Sequence, residues 1–156
     1  MLSGLSRTGR VEYRVASANA RARVQAWIRH LALNAFAPKG VERTSRCIAQ
    51  GTMLTFKPVA NSKALLAKLL ELYWEGMHRP LRFFLRTSCK YIEAGEITWA
   101  VRQVWEGNGR DNRGERDDAY YHLAFRGIDP LDDEFVATTR TVLMPMRDAI
   151  DEKAFP

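Results

Sequence analysis

RTSRCIAQGTMLTFKP, Arg43 to Pro58, is the stretch on which the fold turns. Arg43–Gln50 and Thr52–Pro58 each read as a strand, and Gln50-Gly51 between them supplies a hairpin turn. On the N-terminal side, Val24, Trp27, Ile28, Leu31 and Ala35 recur at helical spacing and predict a helix over 19–36, which Pro38 and Gly40 end. On the C-terminal side, Ser62 is an N-cap for a helix to Gly76 with Leu65, Leu66, Leu69, Leu70 and Tyr73 on one face. Arg10–Val15 and Leu81–Arg86 read as further strands. Helices are predicted over 88–106, 118–125 and 132–144, with Pro145 kinking or stopping the last. The expected fold is α/β (α+β), a central mixed sheet of about four strands flanked by helices. Trp27, Leu31, Leu66, Leu69, Phe84 and Val101 are expected in its core.

At 156 residues the chain has the length of one domain and is expected to fold as a single one. Cys47 and Cys89 lack metal-ligand spacing, so reduced thiols in a cytoplasmic protein are expected. No apolar run approaches the roughly 20 residues of a membrane span. Charge is uneven: residues 1–90 hold 16 Lys or Arg against 4 Asp or Glu (net +12), whereas 91–156 hold 8 against 14 (net −6). A half this basic suits a polyanion, and an acidic half suits either the basic half or a partner.

Common site chemistries find no footing. There is no phosphate-binding loop, and Gly107-Asn108-Gly109 leads into charge rather than a helix of a βαβ unit. His30, His78 and His122 are isolated and read as structural or surface residues. Glu115, Asp117 and Asp118 depart from calcium-loop spacing and are better read as helix caps or arginine partners. No metal and no cofactor is expected.

WEGNGRDNRGERDDAYYHLAFRGIDPL, Trp105 to Leu131, sets a glycine-rich charged loop between aromatic anchors. Trp105-Glu106-Gly107-Asn108, then Arg113-Gly114-Glu115, Asp117-Asp118 and Tyr120-Tyr121, resemble a run in the C-terminal part of the RecC family, the gamma subunits of exodeoxyribonuclease V. Gln25–Leu31, Phe56–Val59 and Gly76–Leu81 resemble the family in the same order, and the similarity extends over most of residues 20–147. The resemblance implies a C-terminal domain cut from a longer subunit, with a restriction-endonuclease-like core and a degenerate active site. Helix, hairpin, helix, strand is the element order of that core. Its active members need hairpin carboxylates for a divalent metal and a lysine two positions after the last acid. Here the corresponding residues are Thr55-Phe56-Lys57, and no Asp or Glu occurs between Arg43 and Leu70.

The resemblance therefore implies a non-catalytic structural and DNA-guiding domain of an ATP-dependent helicase-nuclease that acts in double-strand break repair by recombination. Its partners would be a RecB-like beta subunit and a RecD-like alpha subunit, the latter docked by this domain. Arg43, Arg46, Lys57, Arg82 and Arg86, on or beside predicted strands, are the candidate phosphate contacts. Trp105, Arg113, Glu115, Asp117, Asp118, Tyr120 and Tyr121 are the candidate partner contacts, on a loop expected to order on binding. The competing reading is a stand-alone nuclease with an unusual site.

Overall fold

The computed structural model of the chain describes residues 4–109 and 113–154. The chain divides into two compact units, Met1–Tyr73 with Met146–Pro156, and Trp74–Pro145.

The first unit is built on a five-stranded mixed sheet in the order β1 (Leu5–Ser6), β2 (Gly9–Tyr13), β3 (Ser45–Ala49), β4 (Thr52–Phe56) and β5 (Ile150–Ala154). β2 and β3 are parallel and joined by helix α1 (Ala20–Phe36), and the other pairings are antiparallel. The hairpin turns at Gln50-Gly51 as its sequence predicts; Gly51 has φ +73°, a left-handed conformation that glycine adopts without strain. Asn19 starts α1 by accepting from the Ala22 amide at 3.0 Å.

Paired strand residues share a face. Ser45, Cys47, Ala49, Leu54 and Phe56 are buried on the face that α1 covers. There Trp27 stacks on Phe56 and on His30, with ring centroids 6.1 and 5.7 Å apart. His30 is fully buried: Nδ1 lies 2.9 Å from Ser45 Oγ, and Nε2 lies 2.9 Å from the Lys57 carbonyl. A neutral ring protonated at Nε2 satisfies both partners, donating to the carbonyl and accepting from the hydroxyl. Asn34, one turn on, donates to the Arg43 carbonyl at 3.2 Å and accepts from the Val59 amide at 2.9 Å. This side chain thereby ties the entry to β3 to the segment that follows β4.

Helix α2 (Ser62–Gly76) forms where its apolar spacing predicts. Its stripe is not core, however: Leu66 and Leu69 are half-buried, and Leu70 and Tyr73 are exposed.

The second unit contains α3 (Leu85–Ala94), α4 (Trp99–Glu106), a single 3-10 turn (Glu115–Asp117), α5 (Ala119–Ala124) and most of α6 (Asp133–Ala149). Its core is an aromatic cluster. Phe84 sits in the centre, 4.1 Å from Trp105, 5.1 Å from Tyr121, 5.2 Å from Phe125 and 6.0 Å from Phe135 between ring centroids.

Three sequence expectations are corrected here. Leu81–Arg86 is not a strand: Phe84 is drawn into the aromatic cluster, and α3 starts at the next residue. The helix predicted over 88–106 is two helices. Gly95 closes α3 with φ +81°, its amide donating to the Tyr91 carbonyl at 2.8 Å, and the Thr98 hydroxyl opens α4 by accepting from Val101. Pro145 does not end α6. The ring removes one backbone donor, while Leu143, Met146 and Ala149 stay buried across it at helical spacing.

Candidate nucleic-acid and partner interfaces

The charge imbalance follows the two units. The first holds 14 Lys or Arg against 6 Asp or Glu (net +8), and the second holds 10 against 12 (net −2).

Three of the five candidate phosphate contacts lie on or beside the hairpin. Arg43 precedes β3, Arg46 lies within it opposite Thr55, and Lys57 follows β4. All three are exposed. Arg46 and Lys57 lie on the face opposite α1 and are diagonal neighbours, roughly 7 to 8 Å apart at the backbone. Arg43 and Arg46 make no ion pair among the described residues, whereas Lys57 Nζ is 2.9 Å from Asp151 of β5. Arg82 and Arg86 belong to the second unit and are engaged there. Arg82 pairs with Asp132 and Glu134, and Arg86 is held beside Glu115 by its backbone amide.

The hairpin itself contributes no carboxylate, and Asp151 is the one acid paired with Lys57. Among the described residues, no group of three or more His, Cys, Asp or Glu side chains is placed to hold a metal ion. No helix among them is long and apolar enough to cross a membrane.

The candidate partner loop is shaped by backbone capping. Residues 110–112, within it, lie outside the described residues. Glu115 reaches back to the start of α3, where its carboxylate accepts from the Arg86 amide at 2.9 Å, the Thr87 amide at 2.7 Å and the Thr87 hydroxyl at 2.8 Å. Asp117 accepts from the Gly114 amide at 2.9 Å, and Asp118 caps α5 through the Tyr120 amide at 2.9 Å. Gly107 and Arg113 form a β-bridge that closes the loop's base. Of the aromatic candidates, Trp105 is buried, Tyr121 is half-buried and Tyr120 is 82% exposed. Burial, with Glu115 and Asp118 close by, pushes the Tyr121 phenol above its usual range, so it remains a hydrogen-bond donor.

Beside this loop is a cavity of about 570 Å³ floored by Trp105, Tyr121 and Phe125. Its lining carries both signs of charge, Arg102, Arg116 and Arg126 together with Glu106, Asp117 and Asp129. Arg102 pairs with Asp129 at 2.9 Å. Burial opposes the Asp129 charge, but the Leu131 amide and Arg102 outweigh it and hold that carboxyl below its ordinary range. Sequence patterning gave no sign of the cavity, because its lining comes from α4, the 3-10 turn, α5 and the segment after α5.

The family model of the RecC C-terminal domain matches residues 1–96, more than half of the chain. This chain belongs to the RecC C-terminal domain family. The match takes in α1, the β3–β4 hairpin, α2 and α3, with Arg43, Arg46 and Lys57. The loop and aromatic run from Trp105 to Leu131 lies outside the matched residues. No curated protein matches the chain.

Proposed function

We propose that this chain is a structural and DNA-guiding domain of a RecC-type gamma subunit, without catalysis of its own, which docks the alpha subunit of exodeoxyribonuclease V. Membership of the RecC family supports placing it in that multisubunit complex. The observation that carries the DNA-guiding part is the placing of Arg46 and Lys57 as diagonal neighbours on one sheet face, with exposed Arg43 two residues before β3, within the family-matched residues and with no carboxylate on either hairpin strand. Such a surface attracts phosphates without reading sequence, and the hairpin strands supply no carboxylate to a catalytic metal, Asp151 of β5 being the acid beside Lys57.

We also read the first unit as a degenerate restriction-endonuclease-like core. α1, the hairpin and α2 follow the required order, and β5 fills the strand position beside β4 that Leu81–Arg86 leaves vacant. The docking proposal rests on the second unit, where exposed Tyr120 and Leu123 lie on α5 beside the charged cavity. Many of that unit's acids are already paired with its own arginines or backbone amides, so the aromatic and apolar side chains supply the docking area.

Co-expression with the cognate alpha and beta subunits tests this reading. The chain should co-purify with them, bind DNA in a salt-sensitive manner, and leave DNA intact in Mg²⁺ or Mn²⁺. Cleavage by the chain that Lys57→Ala abolishes would replace it with that of a stand-alone nuclease.

A further inference from the structure

The sheet of the first unit has a second face, opposite α1. Its register lays out two rows, each crossing four strands: Val11, Arg46, Thr55 and Asp151, then Tyr13, Ile48, Met53 and Lys153. None of these eight residues is buried, whereas the α1 side of β3 and β4 contains five buried residues. The Tyr13 ring is 78% exposed at the edge of its row. Arg46, Lys57 and Lys153 put three cations on this face against Asp151, and Asp151 is already paired with Lys57. A half-apolar sheet face carrying Arg46, Lys57 and Lys153, of which only Lys57 has an ion pair among the described residues, matches a chain that carries regular negative charge and also presents unpaired planar rings.

We propose that this face is a platform for single-stranded nucleic acid, with Arg46, Lys57 and Lys153 on phosphates and Tyr13, Ile48 and Met53 against bases. The proposal rests on the DNA-guiding reading and adds where the strand lies and why it is single. A duplex keeps its base faces stacked and meets a flat surface only through its backbone, so it gains nothing from the apolar row. A single strand gains from both rows: every base has a face to stack, and the cations follow the backbone without reading sequence.

Fluorescence anisotropy with the full 156-residue chain, labelled oligo(dT) and a blunt duplex of equal length tests this at low and moderate salt. Tyr13→Ala should weaken oligo(dT) binding by about fivefold or more, the loss expected of one stacked base, and leave duplex binding nearly unchanged. Arg46→Glu should weaken both. Lys68→Glu, an equal charge change on α2, should weaken neither beyond its small effect on net charge. Circular dichroism melts should show all three variants folded, since none of the three side chains is buried. If the chain binds oligo(dT) and neither Tyr13→Ala nor Arg46→Glu weakens it more than Lys68→Glu does, the platform is wrong and DNA guiding stands. If the wild-type chain binds neither DNA, both are wrong. If Tyr13→Ala reduces only co-purification with the partner subunits, the face is a protein interface and the proposal is overturned.

Discussion

Replacing Glu115 by alanine should destabilise the second unit rather than merely trim its loop. The carboxylate accepts from two backbone amides and one hydroxyl at the start of α3, and Thr87, which provides two of these donors, has no exposed surface. Charged hydrogen bonds contribute about 1.5 to 3 kcal/mol each, and a donor left buried without a partner costs about 1 to 3 kcal/mol. The carboxylate also sits at a helix N-terminus, adding about 0.3 to 1 kcal/mol. The Arg86 amide can turn to water, so roughly 3 kcal/mol is the expected loss for Glu115→Ala. At about 2 to 4 °C per kcal/mol for a chain of this size, the melting temperature should fall by about 6 to 12 °C. Glu115→Gln keeps an acceptor oxygen and should lose about half as much. Thermal melts followed by circular dichroism and by tryptophan fluorescence measure this, the latter because buried Trp105 lies in the same unit. A shift under about 2 °C for Glu115→Ala would show that the carboxylate does not hold α3. The same reasoning governs docking experiments: removing residues 108–116 takes Glu115 away, so weaker partner binding by that deletion would report a damaged fold.

Burial holds the His30 imidazole below its ordinary pKa of about 6.5, more than the Lys57 carbonyl can offset, with Arg10 acting in the same direction as burial. The unfolded chain therefore takes up this proton first. Stability should be fully present above about pH 6.5 and decline below it, and melts from pH 8 to 5 should lose that slope in His30→Phe. Phe84→Ala empties the centre of the aromatic cluster and should cost about 3 to 5 kcal/mol in urea unfolding; a loss below 1.5 kcal/mol would deny it that place. Gly9→Ala should be strongly destabilising, because φ is +99° and an added Cβ would stand 2.4 Å from the Thr44 carbonyl oxygen; a variant melting like the parent would refute that crowding. Lys57→Ala breaks only an exposed pair with Asp151 and should change stability by less than about 1 kcal/mol, a difference that vanishes in high salt.

Sequence patterning read the first unit well where the signal is local. α1, the hairpin and α2 fall within about two residues of their predicted bounds, because periodicity, a glycine turn and a serine start are all written into adjacent positions. β5 was not legible: Ile-Asp-Glu-Lys-Ala looks like a solvated tail, and only its pairing with β4 makes it a strand. Leu81–Arg86 misled for the opposite reason. Its alternation reflects one phenylalanine needed by a distant aromatic cluster and an arginine needed by Asp132, neither of which is visible in a short window. Of the five cations expected on or beside strands, Arg46 and Lys57 share a sheet face because the hairpin register is local, whereas Arg82 and Arg86 belong to the second unit and lie on no strand. The role of Glu115 was hidden because its partners lie 28 and 29 residues upstream. Tyr13 went unnoticed because a lone tyrosine at the end of a short strand acquires meaning only when the register places it beside Ile48 and Met53.

The pairing of β4 with β5 also sets a timetable for biosynthesis. Lys57 and its β5 partner Asp151 are separated by 94 positions, so at about 5 to 20 residues per second the ribosome delivers β5 roughly 5 to 20 seconds after β4. Throughout that interval, one side of the hairpin offers open backbone donors and acceptors to any passing strand. The nascent chain is therefore most vulnerable to mispairing while the intervening helices are being made. Sequences that slow translation between codons 60 and 145 should lower soluble yield without altering the finished protein.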